Sequence, residues 1–111
     1  LLHPMQLDGL GVRDLLLDDK RLLILAGASM GLSGPQSVYA LDALPARGRH
    51  LARERITRVL PLPIVEGADH AEGICVHAEG RTRRLMVVCD SPAVHRRKDP
   101  RALRADLYPM P

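Results

Sequence analysis

Ile74-Cys75-Val76-His77-Ala78-Glu79-Gly80-Arg81-Thr82-Arg83-Arg84-Leu85-Met86-Val87-Val88-Cys89 decides the fold of this 111-residue chain. Two short apolar runs flank the turn Glu79-Gly80-Arg81-Thr82. Runs of this length fit strands, because a helix with a buried face usually needs about ten or more residues. A turn of this composition joins such strands into a hairpin. The same grammar extends outward through Val12–Leu17, Leu22–Ala26, Val38–Leu41, Ile56–Leu62 and Ala105–Tyr108, with Asp18-Asp19-Lys20 separating the first two runs. The expected fold class is all-β.

The two hairpins superimpose. Asp14–Leu17 falls on Gly73–Val76, Arg21–Leu25 on Arg84–Val88, and Val38–Leu41 on Leu107–Met110, with an offset that drifts from 59 to 63 to 69 as loops lengthen. The order of strands repeats more strictly than their spacing, which predicts two antiparallel three- to four-stranded sheets resembling consecutive β-propeller blades. The first unit is expected over residues 1–62, with Ile56–Leu62 as its fourth strand and a basic insertion at 43–58. The second is expected over 63–111, and Pro61, Pro63, Gly67 and Ala68 mark the crossing. Leu22-Leu23-Ile24-Leu25 and Leu85-Met86-Val87-Val88 do not alternate with polar residues, so both strands are expected to be covered on both faces. Propellers close with about four to eight blades. Two blades therefore imply a fragment of a larger propeller, two-blade units that pair between chains, or a small sandwich in place of a propeller.

Composition narrows the function classes. Apolar residues make up 46% of the chain and charged residues 26%, which fits a globular rather than a disordered protein. There are two Tyr and neither Phe nor Trp, so the core is aliphatic. The net charge of +3 comes from fourteen Arg against two Lys, but nucleic-acid binding is not expected, since base stacking needs aromatic platforms that are scarce here. No stretch reaches the roughly 20 apolar residues of a membrane span. Cys75 and Cys89 are too few for a disulfide framework or a four-ligand zinc site. They are expected on one face of neighbouring strands, as buried free thiols. The compartment, cytoplasmic or exported, is left undecided by these features.

Several words of the sequence resemble a bacterial family known as domain of unknown function 3616. They are Gly9-Leu10-Gly11-Val12-Arg13-Asp14-Leu15, Leu22-Leu23-Ile24-Leu25-Ala26-Gly27, Gly34-Pro35 before Val38-Tyr39, Ala71-Glu72-Gly73-Ile74, and Leu85-Met86-Val87-Val88-Cys89-Asp90-Ser91-Pro92. Their shared order spans most of the chain. The resemblance implies a propeller-like fold and the C-terminal portion of a longer protein, and it brings no activity with it.

Blade geometry places the entry to an innermost strand and the loop after the second strand on one face. That brings Asp69, His70 and Glu72 toward Asp90 and Ser91, with Arg13, Asp14 and the Ser29–Gly34 loop as first-unit counterparts. Arg13, Asp14, His70 and Ser91 are thus candidates for a ligand-binding mouth. Glu72 and Asp90 are candidate ligands for a divalent cation such as Ca²⁺, which favours carboxylate oxygens. The competing account is that these carboxylates accept backbone hydrogen bonds or pair with Arg13. His70 and Glu72, two apart on a strand, suggest a zinc or general-base pair but lack a third ligand. The loop Gly27-Ala28-Ser29-Met30-Gly31-Leu32-Ser33-Gly34 resembles a dinucleotide-binding turn. Pro35 follows where a helix would have to run, which favours a loop between two strands.

The expected function is a structural or ligand-binding part of a propeller-like protein; the alternative is a cation-dependent, lactonase- or esterase-like hydrolase with its site at the channel mouth. The expected partners are the remainder of the propeller chain or a second copy of this chain.

Overall fold

The computed structural model describes residues 5–29, 33–42 and 55–111, and contains antiparallel sheets with no α-helix among those residues. The first sheet is a meander of β1 (Gly11–Asp18), β2 (Arg21–Gly27), β3 (Gln36–Leu41) and β4 (Ile56–Leu62), in that spatial order. The second joins β5 (His70–Glu79), β6 (Thr82–Asp90) and β9 (Asp106–Pro109). Between β6 and β9 the chain makes a one-turn 3-10 helix (Val94–Arg96) and a small ribbon of β7 (Arg97–Asp99) with β8 (Ala102–Leu103). The all-β expectation holds, and each of the seven apolar runs lies in or overlaps a strand of the two sheets. Residues 43–54 of the expected basic insertion lie outside the described residues; its last part, Ile56–Arg58, is the first half of β4.

Both hairpins turn the same way. Asp18 pairs with Arg21 and Glu79 with Thr82, leaving two-residue loops whose first residues, Asp19 (φ 56°) and Gly80 (φ 59°), are left-handed. Glycine adopts that conformation freely, and Asp is among the residues that tolerate it best.

The core lies between the sheets. Leu23, Leu25, Val38, Ala40 and Leu62 meet Ala71, Ile74, Leu85 and Val87, with β5 lying across β1 and β2. Burying such aliphatic side chains contributes about 1.5–3 kcal/mol each, less what the unfolded chain already buries. A second cluster covers the other face of the first sheet, where Leu7 packs on Ile24, Ala26 and Tyr39. The Tyr39 hydroxyl donates to Asp8 Oδ2 at 2.8 Å, anchoring that segment. Burial, then this hydrogen bond, raises the Tyr39 phenol to about 12.

Two expectations change. The second sheet is covered on one face only, since Val88 and Leu107 are 45% and 41% exposed on the other. The cysteines are also on opposite faces. The two-residue loop fixes Cys75 opposite Met86, and Cys89, three residues along β6, projects the other way. Both thiols are free; Cys75 is exposed and Cys89 half-buried.

Candidate functional site

Each innermost strand has a β-bulge near its start. The pairing of β1 slips between Val12 and Asp14, and that of β5 between Ala71 and Gly73. The extra residues are Arg13 and Glu72, which occupy equivalent places in the repeat. A bulge leaves its extra residue outside the ladder and re-aims its side chain. Here the two bulges aim at each other, and Arg13 Nη1 donates to Glu72 Oε1 at 2.6 Å. Arg13 Nη2 also donates to the Ala28 carbonyl at 2.7 Å, tying the end of β2 into the joint.

Asp14, the next residue, bridges the same gap. Its Oδ2 accepts from the Ile74 N–H at 2.8 Å and its Oδ1 from the Leu15 N–H at 2.8 Å. Gln36 adds a second bridge, donating from Nε2 to the Asp69 carbonyl at 3.0 Å and accepting the Ala71 N–H at Oε1 at 2.6 Å. A buried amide with both ends bonded satisfies backbone groups that would otherwise cost about 1–3 kcal/mol each.

The expected mouth residues do gather at one end of the sheets. His70 pairs with Asp90 across the β5–β6 ladder, and Asp69 N–H donates to the Ser91 carbonyl at 2.9 Å. A cleft between the sheets is lined by Arg13, Ser33, Gln36 and His70, among others. Of the two candidate cation ligands, Glu72 Oε1 accepts from Arg13 at 2.6 Å and Asp90 Oδ1 accepts the Ser91 N–H at 2.8 Å. Among the described residues, no three His, Cys, Asp or Glu side chains form a group that could hold a metal ion. The bulge also breaks the alternation that put His70 and Glu72 on one side. The glycine-rich loop, of which residues 30–32 lie outside the described residues, runs into β3, antiparallel to β2. Among the described residues of the loop there is no helix whose N-terminus could receive a phosphate.

Sequence reasoning missed a second constellation behind the mouth. Arg96 is buried, and its Nε donates to Asp69 Oδ1 at 2.7 Å. Its Nη1 and Nη2 grip both oxygens of Asp106 at 2.7 and 2.6 Å. Asp69 Oδ1 also accepts the Ala93 N–H at 2.7 Å. Burial alone would raise the Asp69 carboxyl; the Ala93 N–H and the Arg96 guanidinium outweigh it and hold the group below the usual carboxylate range. The same guanidinium holds Asp106 down and is itself raised by Asp106. The only hint in the sequence was Asp69, flagged at the entry to β5, since its partners stand 24 to 27 residues away.

The model of the family described as "Protein of unknown function (DUF3616)" matches residues 2–106. No curated protein and no solved structure matches the chain.

Proposed function

The chain belongs to the DUF3616 family, and from that premise we propose that it forms two consecutive blades, 1–62 and 63–111, of a propeller-like scaffold whose mouth charges fasten blade to blade. The observation that carries this reading is the meeting of equivalent bulges, Arg13 on Glu72, beside the Asp14 bridge to Ile74. Side chains paired across the gap between the sheets in this way serve as joints. The meander order of both sheets, with β5 lying across β1 and β2, also supports blades. A small ligand would enter through the cleft at Arg13, Gln36 and His70.

The test is thermal unfolding with and without Ca²⁺ or Mg²⁺. Asp14→Ala strands the Ile74 N–H and lowers stability by about 1–2 kcal/mol, whereas saturating cation leaves the melting temperature of the unaltered chain where it was. A rise on adding cation that disappears in Glu72→Gln with Asp90→Asn would replace the fastener reading with that of a cation-dependent hydrolase mouth.

A further inference from the structure

A second cleft lies between the last strands of the two sheets. Leu62 and Pro63 line it at the end of β4, Cys89 lines it from β6, and Tyr108 from β9. Asp69, Arg96 and Asp106, the buried network described above, line it as well. Its enclosed space of about 20 Å³ admits one water-sized group.

That network is not closed electrically. Two carboxylates share one guanidinium, which leaves a surplus negative charge. Its hydrogen bonds are uneven too. Asp106 uses both oxygens on Arg96, and the Tyr108 hydroxyl donates to its Oδ2 at 3.4 Å. Asp69 takes the Ala93 N–H and Arg96 Nε on Oδ1 alone. Its Oδ2 is buried and has no hydrogen-bond partner among the described residues. The Asp69 side chain is only 4% exposed, yet its carboxyl is held below the usual range, so it is ionised at neutral pH. A buried carboxylate oxygen without a donor is costly, and away from bulk water a surplus charge attracts a counter-charge strongly.

The chemistry that answers both needs is narrow. A neutral donor would satisfy Oδ2 and leave the charge in place. A divalent metal ion takes about six or more oxygens, and among the described residues no group of side chains could hold one. An ammonium supplies hydrogen-bond donors and a positive charge in a water-sized head. Leu62 and Pro63 offer apolar surface on which an alkyl stem can lie, as the stems of lysines do on protein surfaces. We propose that this cleft binds a primary alkylammonium group, its nitrogen donating to Asp69 Oδ2 and its stem lying against Leu62 and Pro63. A free small amine and a lysine side chain share that chemistry.

Thermal unfolding in methylammonium chloride tests it, against sodium chloride and tetramethylammonium chloride at equal concentration. The melting temperature rises saturably in methylammonium alone, because tetramethylammonium carries the charge without an N–H. Cys89 reports on the same cleft in a Cys75→Ser background. Its labelling by a small thiol reagent slows about tenfold when methylammonium stands at about ten times its dissociation constant. N-acetyl-lysinamide identifies the source: tighter binding than methylammonium assigns a lysine side chain, and weaker binding assigns a free amine. Asp69→Asn keeps an acceptor for Ala93 and Arg96, replaces Oδ2 with an amide donor, and abolishes both effects. If that variant fails to fold, Cys89→Met narrows the cleft without altering Asp69 and abolishes the rise in melting temperature instead. No rise in methylammonium, or an equal rise in all three salts, overturns the proposal. So does a rise that survives in whichever variant folds. The blade reading is tested separately, by Asp14→Ala and the Ca²⁺ and Mg²⁺ titrations.

Discussion

β2 and its counterpart β6 carry nearly the same apolar string, yet they end in different surroundings. Leu23, Ile24 and Leu25 are fully buried, sealed by the second sheet on one side and by the Leu7 segment on the other. In β6, Leu85 and Val87 are buried while Val88 is 45% exposed. The sheets also fasten their outer parts differently. The first adds β4 and aliphatic cover, whereas the second holds its β6–β9 connection with Arg96 between Asp69 and Asp106. A strand's own residues say how much cover it can accept; its neighbours decide how much it receives.

The largest effect is expected where the second sheet depends on charge. Arg96→Met leaves the Asp69 carboxylate buried without its cation, a loss of about 3–5 kcal/mol. Arg13→Met breaks a pair that is about one-third exposed at both partners, so it costs about 1 kcal/mol or less. Urea unfolding of the two variants measures the contrast. The acid limb gives an independent check. Asp69 and Asp106 have folded pKa values depressed below the ordinary 3.8. The stability they contribute is therefore present above that value and lost as the pH falls below about 4 toward their folded values. Arg96→Met flattens that acid limb; an unchanged acid limb would remove the network from the account.

Leu23 and Met86 form the next comparison, being counterparts on equivalent faces. Leu23→Ala opens a cavity in the sealed core and costs about 2–5 kcal/mol. Met86→Ala, on the open face of the second sheet, costs about 1 kcal/mol or less. Equal losses would mean that this face is already covered.

The physics of each signal explains what could be seen in the sequence. Strands and hairpins were legible because continuous aliphatic runs and the Asp19 and Gly80 turns act locally. The ribbon was not, since Arg97-Lys98-Asp99 is exposed and has no apolar residue to mark a strand. The mouth was legible as a place, since strand ends fix which loops share a face, and Glu72 against Arg13 was foreseen as the bland alternative to a metal. The role of Arg96 was hidden because its partners come from distant loops. The cysteines were misplaced because one residue more or less in a turn flips a face.

The smallest effect belongs to the pair of positions that follow the bulges, Asp14 and Gly73. In the first sheet this position carries a carboxylate that crosses to the second; in the second it carries no side chain. A Cβ at Gly73 would stand 2.9 Å from Val88 Cγ2 and 3.7 Å from Asp14 Oδ2. Val88 is exposed and can rotate, at a cost of about 0.5–1.5 kcal/mol for leaving its preferred rotamer. Against this, alanine in a strand gains about 0.5–1 kcal/mol over glycine from the unfolded state. Gly73→Ala therefore changes stability by less than about 1 kcal/mol in the unaltered chain, as these two terms offset. In a Val88→Ala background the crowding is gone, and the same substitution stabilises by about 0.5–1 kcal/mol. Paired urea titrations of the four chains separate the terms. If Gly73→Ala is strongly destabilising in both backgrounds, the close approach that matters is that of the Asp14 carboxylate, and the joint between the sheets is tighter than the Val88 contact alone requires.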